Sequence, residues 1–542
     1  MKNAVTIINV LFVSIFILLV SSCKNKEAEP IQSSSEFDEL GQINLVVTGN
    51  QDAQEQFKIG LLLLHSFEYE DAREAFLEAQ KADSTMVMAY WGEAMTFNHS
   101  LWQRQEKEKA VLALNKLSND PDVRIEMAKT ELEKDLMKAV SILYADGTKY
   151  ERDVTYENFM SSLVDKHPDN NEVKAFHAIS LLAASRNGRD KKLYARCAQI
   201  AQGIIKENPK HPGALHYLIH AYDDPGHAHM AKSAADAYSK VAPDATHALH
   251  MPSHIYVALG LWNEVINSNI ASWNASVKKD NKSYHALNWL QYGFLQKGEL
   301  ENAKAMLDKM IANVNEDSTK VARGYLNNMI GAYLVATNDW KNEDLNIDFY
   351  TEDLNLTTRT SHNYMQGMRA YSDEQKDDLK DIIAEMSKDI YSASLALGDK
   401  AFAMCSSGGF ANKPANQLDI DMCKIMENQL KAKMALLQNE PKKALALLNE
   451  ALELDLTLSY SYGPPIIIKP IYEDFAETLL SLNQLDKANT VFDQSLNRNP
   501  KRLQSLEGKK NVLQLLKNDT DLKSIKEELA QALSEIEYAD IL

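Results

Sequence analysis

His216 and His220 are four residues apart, as are His250 and His254, and each member of the second pair follows its counterpart by 34 residues. Imidazoles at that spacing share one helical face. Such pairs suit zinc, copper, nickel or iron, and facing pairs on adjacent helices complete a coordination sphere. His247 and His285 are 38 apart, the same separation as the packing positions Val265 and Ala303, so they too correspond. Nine of the chain's 14 histidines fall between His211 and His285. Asp223, Asp224 and Glu93 offer carboxylates to bind alongside or behind such ligands. No HExxH motif places a general base beside them, which weighs against a metalloprotease reading. The sharp expectation is therefore a transition-metal site, zinc among the candidates, serving binding or hydrolysis. The blander one is a set of histidines hydrogen-bonded between helices.

What would position them is a helical repeat. Long apolar periodic runs alternate with short NP, DP or GE punctuation, the pattern of helix after helix. Gly60, Ala72, Phe76 and Ala79 set small and large packing residues at tetratricopeptide spacing. Ala432, Ala444, Leu448 and Ala451 repeat it; Ala476, Ala488 and Phe492 repeat it again. Ile219, Ala231 and Pro243 keep the register in the middle of the chain. The expected fold is all-α: a right-handed tetratricopeptide solenoid of antiparallel helix pairs, with a concave groove. Glu93, Asn288, Tyr292 and Glu473, with Tyr217 and Asp223, are predicted to line that groove beside the histidines. The leading functional expectation is binding or scaffolding of a peptide, protein or small ligand there, with a metalloprotein or metallohydrolase as the alternative.

The register divides the chain into a first repeat block over 46–340, irregular helices over 341–415, and a second block with capping helices over 416–542. Before them, Lys2 precedes an apolar stretch from Val5 to Val20, shorter than a membrane span, ending at Ser21, Ser22 and Cys23. Residues 1–22 read as an export signal, and the polar 23–45 as a flexible tether. A formal net charge of −18 opposes a nucleic-acid interface. The four cysteines include no CxxC pair, which argues against a thiolate zinc site; Cys405 and Cys423 could pair in an oxidising envelope. Near the C-terminus, GPPIIIKP leads into a helix bearing Glu473, with Lys469 one turn before it. No Walker loop, dinucleotide fingerprint or nucleophile elbow is present.

Val20-Ser21-Ser22-Cys23 resembles the lipobox of bacterial lipoproteins. That resemblance implies cleavage before Cys23 and its acylation, and Lys24 in place of Asp implies outer-membrane retention. The membrane is then touched through the lipid anchor alone. AYWGEAMTFNHSLW, HPGALHYLIHAYDDPGHA, HALHMPSHIYVALGLWNEV and GPPIIIKP together resemble a family of bacterial tetratricopeptide-repeat lipoproteins. The resemblance implies an exported envelope protein and brings no activity with it. A fainter similarity, to SusD-like lipoproteins, implies glycan binding.

Overall fold

The computed structural model describes residues 39–185, 188–396, 415–458, 463–534 and 536–542. Residues 1–22, Cys23 and most of the tether, and Cys405 with its proposed disulfide, lie outside the described residues. Residues 39–542 form one compact unit. Among the described residues the only sheet is a two-residue antiparallel pair, Asn98–His99 with Arg104–Gln105. Everything else regular is helical, from Gln51–His65 to Asp519–Ala532.

The repeat unit is visible at once in the first pair, Gln51–His65 and Tyr69–Ala82. Asn50 caps the first helix by accepting from the Ala53 N–H. Ser66 to Glu68 turn the chain, with Phe67 at φ 59°. A Cβ on Gly60 would stand 2.8 Å from the Phe76 ring and one on Gly92 only 2.3 Å. Both glycines thus let neighbouring helices close on the same phenylalanine, which is fully buried. Ala432, Ala444, Leu448 and Ala451, and Ala476, Ala488 and Phe492, are equally buried. Successive helices pack as antiparallel neighbours throughout, so the architecture is an all-α solenoid of tetratricopeptide type.

Among the described residues of 341–415, the run before Leu356 is irregular, interrupted by one short turn at Glu343–Leu345. Leu356–Ser372 and Lys376–Leu395 then stack on each other and on Gln417–Leu437. One apolar core runs through this stretch, from Ile266 to Val512.

The solenoid does not leave its inner wall open. On one side, the Ser66 hydroxyl meets the Tyr238 hydroxyl at 3.1 Å, and Gln42 donates its N–H to the Lys210 carbonyl at 2.8 Å. On the other, the C-terminal repeats fold back onto the central ones. Trp262 donates to the Lys501 carbonyl at 3.0 Å, Asn328 to that of Pro465 at 3.1 Å, and Leu503 N–H to the Gln296 side chain at 3.0 Å. Gly260 sits where a Cβ would be 2.5 Å from the Pro500 carbonyl. Glu93, Tyr217, Asp223, Asn288, Tyr292 and Glu473, the residues expected to line a groove, are all buried.

Candidate metal centre

The histidines come from three consecutive repeats. Pro212–Ala221 begins with Pro212 in its first turn and His211 as cap, and carries His216 and His220 one turn apart on one face. The next histidine-bearing element is broken in two, Thr246–His250 and Pro252–Leu259. Pro252 has no N–H to give the ladder, yet the Met251 and His254 N–H groups still reach the carbonyls of His247 and Met251, at 3.0 and 3.2 Å. The two pieces therefore stay nearly in line, and His247, His250 and His254 remain on one side. His247 is helical rather than in a loop. His285 occupies the second position of Tyr284–Gln296, which Ser283 caps.

These six side chains form two triads. Ring nitrogens of His216, His220 and His247 lie within 4.8 Å of one another, and so do those of His250, His254 and His285. The His216 and His220 Nε2 atoms are 3.0 Å apart, those of His250 and His254 3.3 Å, and those of His285 and His250 3.0 Å. The triads adjoin: the His220 and His254 rings are 6.0 Å apart and the His247 and His250 rings 6.2 Å. Phe67 lies against the first triad, 4.2 Å from the His216 ring, and Trp289 against the second, 4.6 Å from His254 and 4.9 Å from His250.

The outer ring nitrogens fix where the protons are. His254 Nδ1 faces the Asp223 carboxylate at 2.8 Å, and a carboxylate only accepts, so the proton is on Nδ1. His216 Nδ1 donates to the His65 carbonyl at 2.8 Å. His250 Nδ1 meets Asn269 Oδ1 at 2.8 Å, and that amide is oriented by its own donation to the Val265 carbonyl at 2.7 Å. In the His216 and His250 rings Nε2 is left as a bare lone pair. His250 Nε2 thus faces the Nε2 atoms of both His254 and His285 as an acceptor. His247 Nε2 is buried and has no hydrogen-bond partner.

In five of the rings burial disfavours the protonated form. Burial pushes His216 and His250 down to about 3. Burial first, and neighbouring imidazoles second, hold His220, His247 and His285 well below the usual histidine range. Neutral imidazoles with converging lone pairs are the form in which histidine binds metal. Two nitrogens held about 2.0 Å from one ion at tetrahedral angles lie about 3.3 Å apart, the spacing found here. Asp223, Asn269 and the His65 carbonyl are the kind of outer partners that orient metal-bound histidines.

A third cluster, His65, Glu172 and His211, is close-packed in the same way but differs in its protons. Tyr217 lies 2.9 Å from His65 Nδ1, and His65 Nε2 is 2.7 Å from Glu172. The Ala214 N–H donates to His211 Nδ1 at 3.2 Å, which places the His211 proton on Nε2, 3.2 Å from the other Glu172 oxygen. Here N–H groups point at a carboxylate, and those two imidazole donors hold Glu172 well below the usual carboxylate range against the opposing effect of burial. Glu172 Oε1 and His211 Nε2 are nonetheless buried without a hydrogen-bond partner, so their 3.2 Å approach is an ion-pair contact. The cluster was not anticipated from the sequence, and His65 also presents its carbonyl to His216.

The other anticipated residues are engaged elsewhere. Glu93 pairs with Lys116 at 2.6 Å and with Gln80. Glu473 is held by Arg502 at 2.6 Å and by Ser505, and Arg502 also donates to the Tyr292 hydroxyl at 2.7 Å. Lys469 bonds Glu477 at 2.5 Å rather than Glu473, which is 3.8 Å away. Asn288 is buried with an unpartnered side-chain oxygen. Asp224 pairs with His227 in the exposed turn after the helix.

No family model and no curated protein matches the chain. Among solved structures it is similar to yeast Tom70, at 12% identity over 88% of this chain and 93% of that one, with a TM-score of 0.31. It is similar also to Ypp1, at 10% identity over 90% and 89%, TM-score 0.38. A third is a human IFIT1 dimer with m7Gppp-AAAA, at 12% identity over 90% and 96%, TM-score 0.35. Likeness this loose carries no argument about the site. The fold rests on the chain's own helix pairing.

Proposed function

We propose that this chain is an envelope metalloprotein, a tetratricopeptide-type scaffold whose inner wall holds two transition-metal ions, one on each histidine triad. The observation that carries the reading is the convergence of three buried ring nitrogens in each triad, with the His250 and His254 Nε2 atoms 3.3 Å apart and Asn269 and Asp223 on the far sides of the rings. Ring nitrogens held that close in a buried site need a proton or a metal cation between them, and convergence of three on one point is what a metal requires. Three protein ligands per ion leave a coordination position open, which is the arrangement of metal sites that bind or transform something. The lipobox-like Val20-Ser21-Ser22-Cys23 supports an outer-membrane lipid anchor. Among the described residues no helix is long and apolar enough to cross a membrane.

The test is elemental analysis of the chain purified without a histidine tag, compared with a His220→Ala/His254→Ala double variant. The expected result is about two transition-metal ions per chain, lost in a variant whose circular dichroism is unchanged. Fewer than one ion per chain after reconstitution with copper, zinc, iron, nickel and cobalt in turn would end the reading.

A further inference from the structure

We infer that the ions are copper and that the pair binds dioxygen between the two triads, an inference that rests on the dinuclear reading above. The argument begins from charge. Six imidazoles are neutral ligands once they hold a metal, and the only carboxylate hydrogen-bonded to a ligand ring among the described residues is Asp223, on His254. Glu68 touches the first triad only through the His247 backbone N–H, at 2.8 Å. Arg189, the guanidinium nearest this end of the site, is already paired with Asp224 at 3.2 Å. Two divalent ions would bring four positive charges into a space walled by Phe67, Trp289 and buried helix. Uncompensated charge in such surroundings is strongly disfavoured. Two cuprous ions bring only two charges, half that burden, and Asp223 on His254 offsets part of it. Three imidazoles suit a closed-shell cuprous ion, which has no ligand-field reason to require a fourth ligand.

The same charge accounting selects the exogenous ligand. Oxidising the pair by removing electrons to a distant acceptor would leave the divalent charge that the site resists. Dioxygen avoids this because it is oxidant and counter-anion together. Each Cu(I) gives one electron to O2, the oxygen becomes peroxide bound between two Cu(II) ions, and the O–O single bond is kept. No proton enters and the net charge of the metal–oxygen unit is +2 before and after. A neutral diatomic is also able to cross an aromatic wall that would exclude a solvated anion. The adjoining rings, 6.0 Å between His220 and His254 and 6.2 Å between His247 and His250, place the two triads side by side, as a bridging ligand requires.

The experiment loads the metal-free full chain with Cu(I) under anaerobic conditions, removes excess copper by gel filtration, and then admits air while oxygen uptake and electron paramagnetic resonance are recorded. Two coppers retained, one O2 consumed per two coppers, and little Cu(II) resonance because the bridged spins pair, is the expected result. A His285→Ala variant that retains the first triad should hold about one copper and lose the paired uptake at least tenfold. Two coppers retained with no oxygen uptake, or oxidation giving the full resonance of isolated Cu(II), overturns the dioxygen inference and leaves the dinuclear metal reading standing. Retention of two zinc ions but not copper does the same. Retention of neither metal overturns the copper inference, and failure of iron, nickel and cobalt as well overturns both.

Discussion

At the scale of single residues, the site is decided by protons rather than by proximity. Clusters that look alike by distance differ in what their ring nitrogens face: other imidazoles in the two triads, a carboxylate in the third. Asp223→Asn is the sharpest probe. It leaves volume unchanged but lets the amide present N–H to His254 and turn its proton inward, so metal affinity should fall about 10- to 100-fold. Chelator competition with a calibrated indicator reads it, and unchanged affinity would show that the His254 proton is not set by Asp223. Glu172→Gln should behave oppositely. Metal content should be kept, while removal of the charge facing two buried imidazole donors should cost about 3 kcal/mol of stability in urea unfolding. Loss of both ions in that variant would make the third cluster a ligand set. The sequence made Asp223 legible because it lies three residues past His220. His65, Glu172 and Asn269 were not legible, because each reaches its partner across packing between helices far apart along the chain or outside the histidine-bearing faces.

At the scale of elements, the 34-residue repeat is what made the site readable. Equivalent positions in stacked helix pairs lie above one another, so equal offsets along the chain become neighbours in space. His220 and His254, 34 residues apart, are such a pair, their rings 6.0 Å from each other. What the offset does not encode is the covering of each triad. Gly213 lies where a Cβ would be 2.5 Å from His65 Nδ1, and Gly463, at φ 153°, where one would be 2.5 Å from the Trp289 indole. Each glycine sets one covering element against one triad. Gly213→Ala should displace His65 with its carbonyl and empty the first triad, while Gly463→Ala should drive Trp289 onto the second. Each overpacking should cost about 1 to 3 kcal/mol. Metal content near one ion per chain in each variant, with the paired spectroscopic signal gone, checks the assignment. Two ions retained in both would mean that the covering elements do not shape the triads. GPPIIIKP was noticed in the sequence for its prolines. Its packing against the histidine repeats, through Gly463 on Trp289, depends on how far the C-terminal repeats curl back, which no local pattern states.

At the scale of the whole molecule, closing the solenoid on itself buries ionisable rings that the unfolded chain leaves in water, and this ties stability to pH. An unfolded histidine takes up its proton near pH 6.5, whereas in the folded metal-free protein His216 and His250 do so only near 3. Between those values the unfolded state binds more protons, so stability must fall as pH falls, by about 1.4 kcal/mol per pH unit for each such ring. His220, His247 and His285 are shifted in the same direction, by burial first, and add to the slope. Metal-free protein should therefore lose at least about 2 kcal/mol between pH 6 and pH 5, the sum for two rings, and little between pH 8 and pH 7. Urea unfolding at those four values measures it. The metal-loaded protein should be more stable throughout and steeper still below neutrality, because ions must leave before the rings can protonate. A flat profile in the metal-free protein would mean that water reaches the six rings, and the case for a dry, cation-seeking site would go with it.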